Sequence, residues 1–229
     1  MTDRPKRRGL LLPGLLVALG VLVLLGLGTW QVYRLRWKEG ILAEIAAAEK
    51  QPPAPLTGHP PDYGRVAVTG HFLFDKALWL GVDVRDTARG SVMGHFQLVP
   101  LARDHAPTIL VNRGWVPEHV QPADPAGTVS VTGYVHPGEQ ASWFSPADDF
   151  GHHEVYVLDP PKIAGALGIG PVLPFSLTAL GTVPDGVYPV PAADFPRPPN
   201  NHLSYAITWY SLALVLVVMA VVRFRSKQA

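Results

Sequence analysis

From Leu10 to Thr29 the chain carries no charged side chain, and from Leu203 to Val222 it again carries none. Each run is about 20 residues long, and at ~1.5 Å of rise per residue a helix of that length covers ~30 Å, the hydrocarbon thickness of a bilayer. Hydrocarbon offers backbone amides and carbonyls no partners, so an isolated run of this kind crosses as a helix. Two membrane-spanning helices, one near each end, are the first constraint on the fold.

Charge gives them a direction. Arg4, Lys6, Arg7 and Arg8 precede the first run against Asp3 alone, and Arg223, Arg225 and Lys227 follow the second with no acid. Of the 19 basic and 18 acidic residues, the stretch between the ends keeps 12 and 17, so the ends are basic and the middle acidic. Basic flanks stay cytoplasmic. Both termini are expected inside and the middle outside, which in a bacterial inner membrane is the periplasm. A net charge of +1 gives no footprint for nucleic acid.

An Arg-rich start before an apolar run also opens a cleaved signal peptide. Such a peptide has an apolar region of 7–15 residues and an A-x-A-like site, and neither is seen here. The first run therefore reads as a retained anchor. Trp30 and Tyr33 suit an interfacial belt. Trp30, Arg34, Trp37, Ile41 and Ile45 keep helical spacing as far as Pro52-Pro53. The second run follows Pro196, Pro198 and Pro199, with Asn200 or Asn201 as helix cap. The expected segments are 1–9 cytoplasmic, 10–30 spanning, 31–200 periplasmic beginning with a helical extension, 203–222 spanning and 223–229 cytoplasmic. Gly14, Ala18, Gly20, Gly26 and Gly28 offer small surfaces for helix pairing, although glycine is common in such helices in any case.

Between Gln51 and Asn200 the composition turns to Pro, Gly and β-branched residues. Short apolar or alternating runs, 65–68, 77–82, 96–100, 108–112, 129–135, 155–158 and 175–178, are separated by turn residues and read as strands. Residues 160–168 read as one short helix. The expected class is an α+β domain dominated by an antiparallel sheet or small barrel, held between two transmembrane helices.

Sites are sparse. There is no cysteine, which excludes disulfides, thiolate metal sites and redox CxxC chemistry. Met1, Met93 and Met219 are dispersed, which argues against copper delivery. No GxSxG, HExxH, P-loop or GxGxxG is present, so the chain does not read as an enzyme. Asp148, Asp149, His152, His153 and Glu154 are metal-ligand types, but a hydrophilic loop is written in the same letters. Two stretches weigh more. In Leu110-Val111-Asn112-Arg113-Gly114-Trp115-Val116-Pro117, Arg113 and Trp115 read either as a structural turn or as anchors for a partner protein. In Asn200-Asn201-His202 with Tyr205, Ala206 and Trp209, the spacing i, i+3, i+4, i+7 groups an imidazole and two aromatics on one helix face. That group suits either a flat iron-containing ring or an interfacial belt.

These two stretches, with Leu27-Gly28-Thr29-Trp30-Gln31 through Arg34 and Trp37-Lys38, and with Tyr63-Gly64-Arg65-Val66 and Val68-Thr69-Gly70, resemble the Surfeit-locus (SURF-type) family of cytochrome c oxidase assembly proteins. The likeness runs from about residue 27 to 222. One departure is Tyr156, ahead of Asp159-Pro160, where the family usually shows Trp. The resemblance implies an assembly factor and not a catalyst. It would assist insertion of haem a into subunit I of the haem-copper oxidase, with the oxidase and its other assembly factors as partners. His202 is the one residue it carries over as haem ligand, and Tyr205 and Trp209 are the aromatic candidates beside it. The competing expectation is a scaffold that stays with the oxidase or a respiratory supercomplex and binds no haem.

Overall fold

The computed structural model of the protein describes residues 11–87 and 90–226. Arg4, Lys6, Arg7, Arg8 and Lys227, on which much of the charge argument rests, lie outside the described residues. The first element, α1, is a helix over Leu11–Glu49, and the last, α3, covers His202–Arg225. No proline follows Pro13 until Pro52, so nothing breaks the i to i−4 ladder and α1 runs on for 39 residues. At ~1.5 Å per residue that is roughly 58 Å, about twice a hydrocarbon core. Span and extension are thus one unbroken helix.

The uncharged stretches of both helices, as far as Thr29 on α1 and Leu203–Val222 on α3, are apolar around nearly their whole circumference. Leu15, Leu19 and Leu22 on α1, and Ile207, Leu214 and Met219 on α3, are more than half exposed, and little of either apolar stretch is covered by protein. An all-round apolar helix is stable in a packed interior or in lipid. Exposed to water, such surface would cost about 25 cal/mol per Å². The interior is not available here, so this is a membrane protein.

The chain divides into two compact units. One is α1 as far as Ala43 together with the chain from Arg197; the other is Glu44–Pro196. Within the first unit, Val17, Val21, Leu24, Gly28, Gln31 and Leu35 form one series of less exposed positions on α1, flanked by Gly14, Gly20, Leu27 and Val32. On α3 the series is His202, Ala206, Trp209, Ala213, Leu216 and Ala220. Both series alternate steps of three and four, the spacing of a knobs-into-holes seam. The Tyr210 ring lies against Gly28, where a methyl group would come within 2.8 Å of it, and Leu216 faces Gly20. Of the small residues named above, Gly20 and Gly28 serve this seam, whereas Gly26 faces open space.

In the second unit the strands are β1 Ala54–Pro55, β2 Arg65–Phe72, β3 Leu78–Thr87, β4 Gly90–Arg103, β5 Ala106–Pro117, β6 Val129–Pro137, β7 Glu154–Val155 and β8 Val172–Ala179. A helix, α2, covers Pro160–Leu167 between β7 and β8. The sheet order is β1-β2-β6-β8-β5-β4-β3-β7, and β2 also pairs with β4. Strands β2, β6, β8, β5 and β4 therefore close a five-stranded barrel, sealed by His71 opposite Ala102 and Phe72 opposite Leu101. Most pairings are antiparallel, but β1–β2, β5–β8 and β3–β7 are parallel. The domain is a mixed eight-stranded sheet with a small barrel inside it.

Strand alternation explains the core. Val66 and Val68, Ile109 and Val111, Phe175 and Leu177, with Leu101 and Val135, come from the five barrel strands and pack together in its interior. The opposite pleat of β4 and β5 carries Leu98 and Leu110, which pack with Leu78, Val155, Leu158 and Ile163 of α2. Helix α2 forms where expected because Asp159 caps it, its carboxylate accepting from the Lys162 amide at 3.2 Å. Pro160 and Pro161 occupy first-turn positions that need no amide donor.

Three differences from the strand reading have physical causes. The run 155–158 keeps only Val155 in a strand, because Asp148 takes the Tyr156 amide (2.8 Å) and Glu139 the Leu158 amide (3.3 Å). Carboxylates there replace ladder partners. Strands β3 and β4 run well beyond 77–82 and 96–100; in their outer arms Val82, Val84 and Met93 are about half exposed or more, so the apolar side chains there do not mark a buried face. The two-residue β1 is too short to show any period.

Candidate functional site

In the first unit, α3 begins at His202. The Asn201 side chain makes no capping bond, but its carbonyl accepts from the Tyr205 amide at 3.3 Å. His202 Nδ1 lies 2.7 Å from Gln31 Oε1 on α1. An amide oxygen only accepts, so Nδ1–H is the donor, and Nε2 is the nitrogen left for a ligand when the ring carries a single proton. Gln31 is 9% exposed. A second polar contact lies nearby: Thr29 Oγ1 donates to the Leu25 carbonyl (2.9 Å), which uses its proton, so the Tyr210 hydroxyl donates to Thr29 at 3.0 Å.

The four residues grouped on one face by spacing do not stay together. His202, Ala206 and Trp209 lie on the seam with α1, whereas Tyr205 is 54% exposed on its flank. At ~100° per residue Ala206 and Trp209 lie within ~40° of His202 around the helix, whereas Tyr205 lies ~60° away, at the edge of a narrow seam. The donor set fits one axial position of a haem: an imidazole with Nδ1 engaged and Nε2 left for the iron, with aromatic surface nearby.

Arg113 and Trp115 sit in β5 of the second unit. The Arg113 side chain is 11% exposed. It donates to Gln97 Oε1 (2.6 Å), the Ala123 carbonyl (2.8 Å) and Asp124 (3.4 Å), and packs over Phe72 and Phe74. Burial pushes its pKa down while the Asp124 charge and hydrogen bond pull the other way. It forms one wall of a cleft of roughly 470 Å³ shared with Tyr188, Pro189 and Pro191. Trp115 is 3% exposed. Its indole donates to the Asp83 carbonyl at 3.1 Å, and Arg85 covers the ring. Both side chains are satisfied inside the domain.

The acidic loop is held by its own bonds. Asp149 accepts from the amides of Gly151 and His152 and from the His152 ring, and Asp148 is bound by Lys162 and the Tyr156 amide. Among the described residues no three His, Asp or Glu are placed to share a metal ion. His105, His119 and His153 hold positive φ, the left-handed conformation found in turns.

Burial works to raise the Asp148 carboxyl, but the Lys162 bond, the Tyr156 and Val157 amides and the Lys162 charge outweigh it and hold the group below the usual carboxylate range. A carboxyl depressed by folding stabilises above its unfolded pKa, and that contribution is lost as pH falls through the folded value. Asp148→Asn is expected to lower stability by about 1–3 kcal/mol at pH 7. The deficit should begin to shrink below pH ~4, where the unfolded carboxyl takes up its proton, and close once pH has fallen through the lower folded value. Urea unfolding at both pH values reads this directly, and an equal deficit at each would show that charge plays no part.

Gln31 stands just past the uncharged run, between Trp30 and Tyr33, and its signal is modest: an amide that helix packing buries needs a partner.

Two spanning helices that hold a closed mixed barrel, with a polar pair joining the helices, define a two-span membrane protein with a single folded domain. The chain belongs to the SURF1 family, whose model matches residues 18–214, which cover most of α1, the whole barrel and the first half of α3. Its relatives include a SURF1-like protein of Monosiga brevicollis, 35% identical over 86% of this chain and 82% of that protein. Surfeit locus protein 1 of Rattus norvegicus is 31% identical over 82% of this chain and 67% of its own length. The Homo sapiens protein of that name is 31% identical over 82% and 69%.

Proposed function

We propose that the protein is an assembly factor for the haem-copper cytochrome c oxidase that assists delivery of haem a to subunit I and holds it through His202. The observation that carries this reading is the His202–Gln31 pair, which leaves Nε2 available at a helix pair exposed to lipid. Haem a is the cargo, and it supplies an iron with axial positions open to an imidazole. The chain's part is to present that nitrogen, to offer Trp209 and Tyr205 as aromatic surface, and to keep an apolar ring out of water. The reading further places both termini in the cytoplasm and the barrel domain in the periplasm of a bacterial inner membrane, in keeping with the basic ends.

The direct experiment is a visible spectrum of the detergent-purified chain loaded with haem a. The native protein is expected to show a Soret band that His202→Ala abolishes; a band of undiminished intensity in the variant sinks the assignment. A second reading, a haem-free scaffold for the oxidase, is favoured by the same bond, since a His202 ring held 2.7 Å from Gln31 also serves to tie the two helices together. On that reading oxidase from cells carrying His202→Ala keeps its full haem content.

A further inference from the structure

We infer that Gln31 is the positioning residue for His202, so that the ligand is assembled from both spanning helices: α3 supplies the imidazole and α1 fixes which nitrogen is offered. The inference rests on the haem reading above for its purpose, though not for its geometry.

Four observations carry it. Gln31 is 9% exposed in an apolar helix, where an amide without a partner is costly. Its oxygen is 2.7 Å from His202 Nδ1, and an oxygen that only accepts selects the tautomer with the proton on Nδ1. No other hydrogen bond to the His202 ring is found among the described residues. The approach of the helices is also set without this pair, since Tyr210 lies against Gly28 and donates to Thr29, two residues before Gln31. Gln31 is therefore delivered to His202 by packing it does not itself provide.

The consequence is chemical. A partner on the far nitrogen of a ligating imidazole fixes its orientation and raises its basicity, and removing one typically costs 10–100-fold in affinity. Gln31→Leu removes the acceptor at nearly constant volume, Gln31→Asn withdraws it by one methylene, and Gln31→Glu keeps an acceptor at the same reach and adds charge.

The test uses the full chain in detergent micelles, first haem-free with ¹⁵N-labelled histidine and then titrated with haem a. In the native protein the His202 nitrogens are expected to report the proton on Nδ1. Gln31→Leu and Gln31→Asn are expected to lose that preference and to bind haem a at least about tenfold more weakly. Gln31→Glu should restore binding and lower the midpoint potential of the bound iron. A His202 tautomer unchanged in Gln31→Leu overturns the inference whatever the haem result. Unchanged affinity in Gln31→Leu, beside loss of the Soret band in His202→Ala, overturns it while leaving the haem reading intact. A full Soret band in His202→Ala removes the haem reading, and the tautomer measurement then decides the positioning role by itself.

Discussion

Gly114→Ala is expected to cost the sheet domain about 3–5 kcal/mol, enough to unfold a domain of ordinary stability. Two penalties coincide at this position. Gly114 has φ of 128°, a conformation that residues with a Cβ rarely adopt. A methyl group there would stand 2.1 Å from the Val190 carbonyl oxygen, 2.4 Å from its carbon and 2.6 Å from the Pro191 nitrogen. All three are backbone atoms, so no side chain can turn aside. The segment cannot move away cheaply either. Trp115 and Val190 exchange two backbone hydrogen bonds, at 2.9 and 2.8 Å, and these tie residues 188–192 to β5. Shifting the segment breaks both bonds and uncovers Trp115. Gly127→Ala is the control: its φ is 81° but its surroundings are open, so it carries backbone strain alone, about 1–2 kcal/mol. Urea unfolding followed by tryptophan fluorescence compares the two. Equal losses in the two variants would falsify the crowding argument.

The same motif shows what the sequence made legible. A strand leading to Gly and Trp was readable at 110–117, but the turn read at Gly114 is not formed: β5 runs on through it from Ala106 to Pro117, past a bulge in its pairing with β4. That Gly114 makes room for a segment some 75 residues later was not legible, because Val190 sits in an irregular stretch with no period to read. The two spans were the most legible feature, since their composition alone excludes water. The barrel's closure was hidden: it rests on two residue pairs between β2 and β4, and alternation reports which pleat a side chain occupies but not which strand lies beside it. Parallel pairing of β5 with β8 was hidden for the same reason. At the site, His202 stood out by its place at the head of a helix, whereas Tyr205 was grouped with it by a spacing too coarse for a seam this narrow. Gln31 was visible only as a polar residue at the end of an apolar run, and its partner lies 171 positions away.

Arg113→Met is expected to cost about 2–4 kcal/mol, and the way that loss divides separates a structural role from a docking one. Methionine keeps much of the stem and its packing on Phe72 and Phe74 but removes every donor. The contact with Asp124, at 3.4 Å and with the carboxylate half exposed, contributes little, as surface ion pairs do. The weight falls on Gln97, 4% exposed, whose oxygen takes the 2.6 Å bond and would be left buried without a donor. An orphaned acceptor costs about 1–3 kcal/mol, whereas removing both partners together is far cheaper. The double variant Arg113→Met with Gln97→Leu is therefore expected to recover about half of the loss, a coupling that a double-mutant cycle measures. If Arg113 instead served mainly to grip a partner, the single variant would keep its stability and lose association with the oxidase, and Gln97→Leu would restore nothing. The guanidinium already meets Gln97, Ala123 and Asp124 within its own domain, and a partner would have to displace one of them. The cheapest to displace is Asp124, so an acidic group entering the cleft beside Tyr188 would compete there first and leave the Gln97 bond standing.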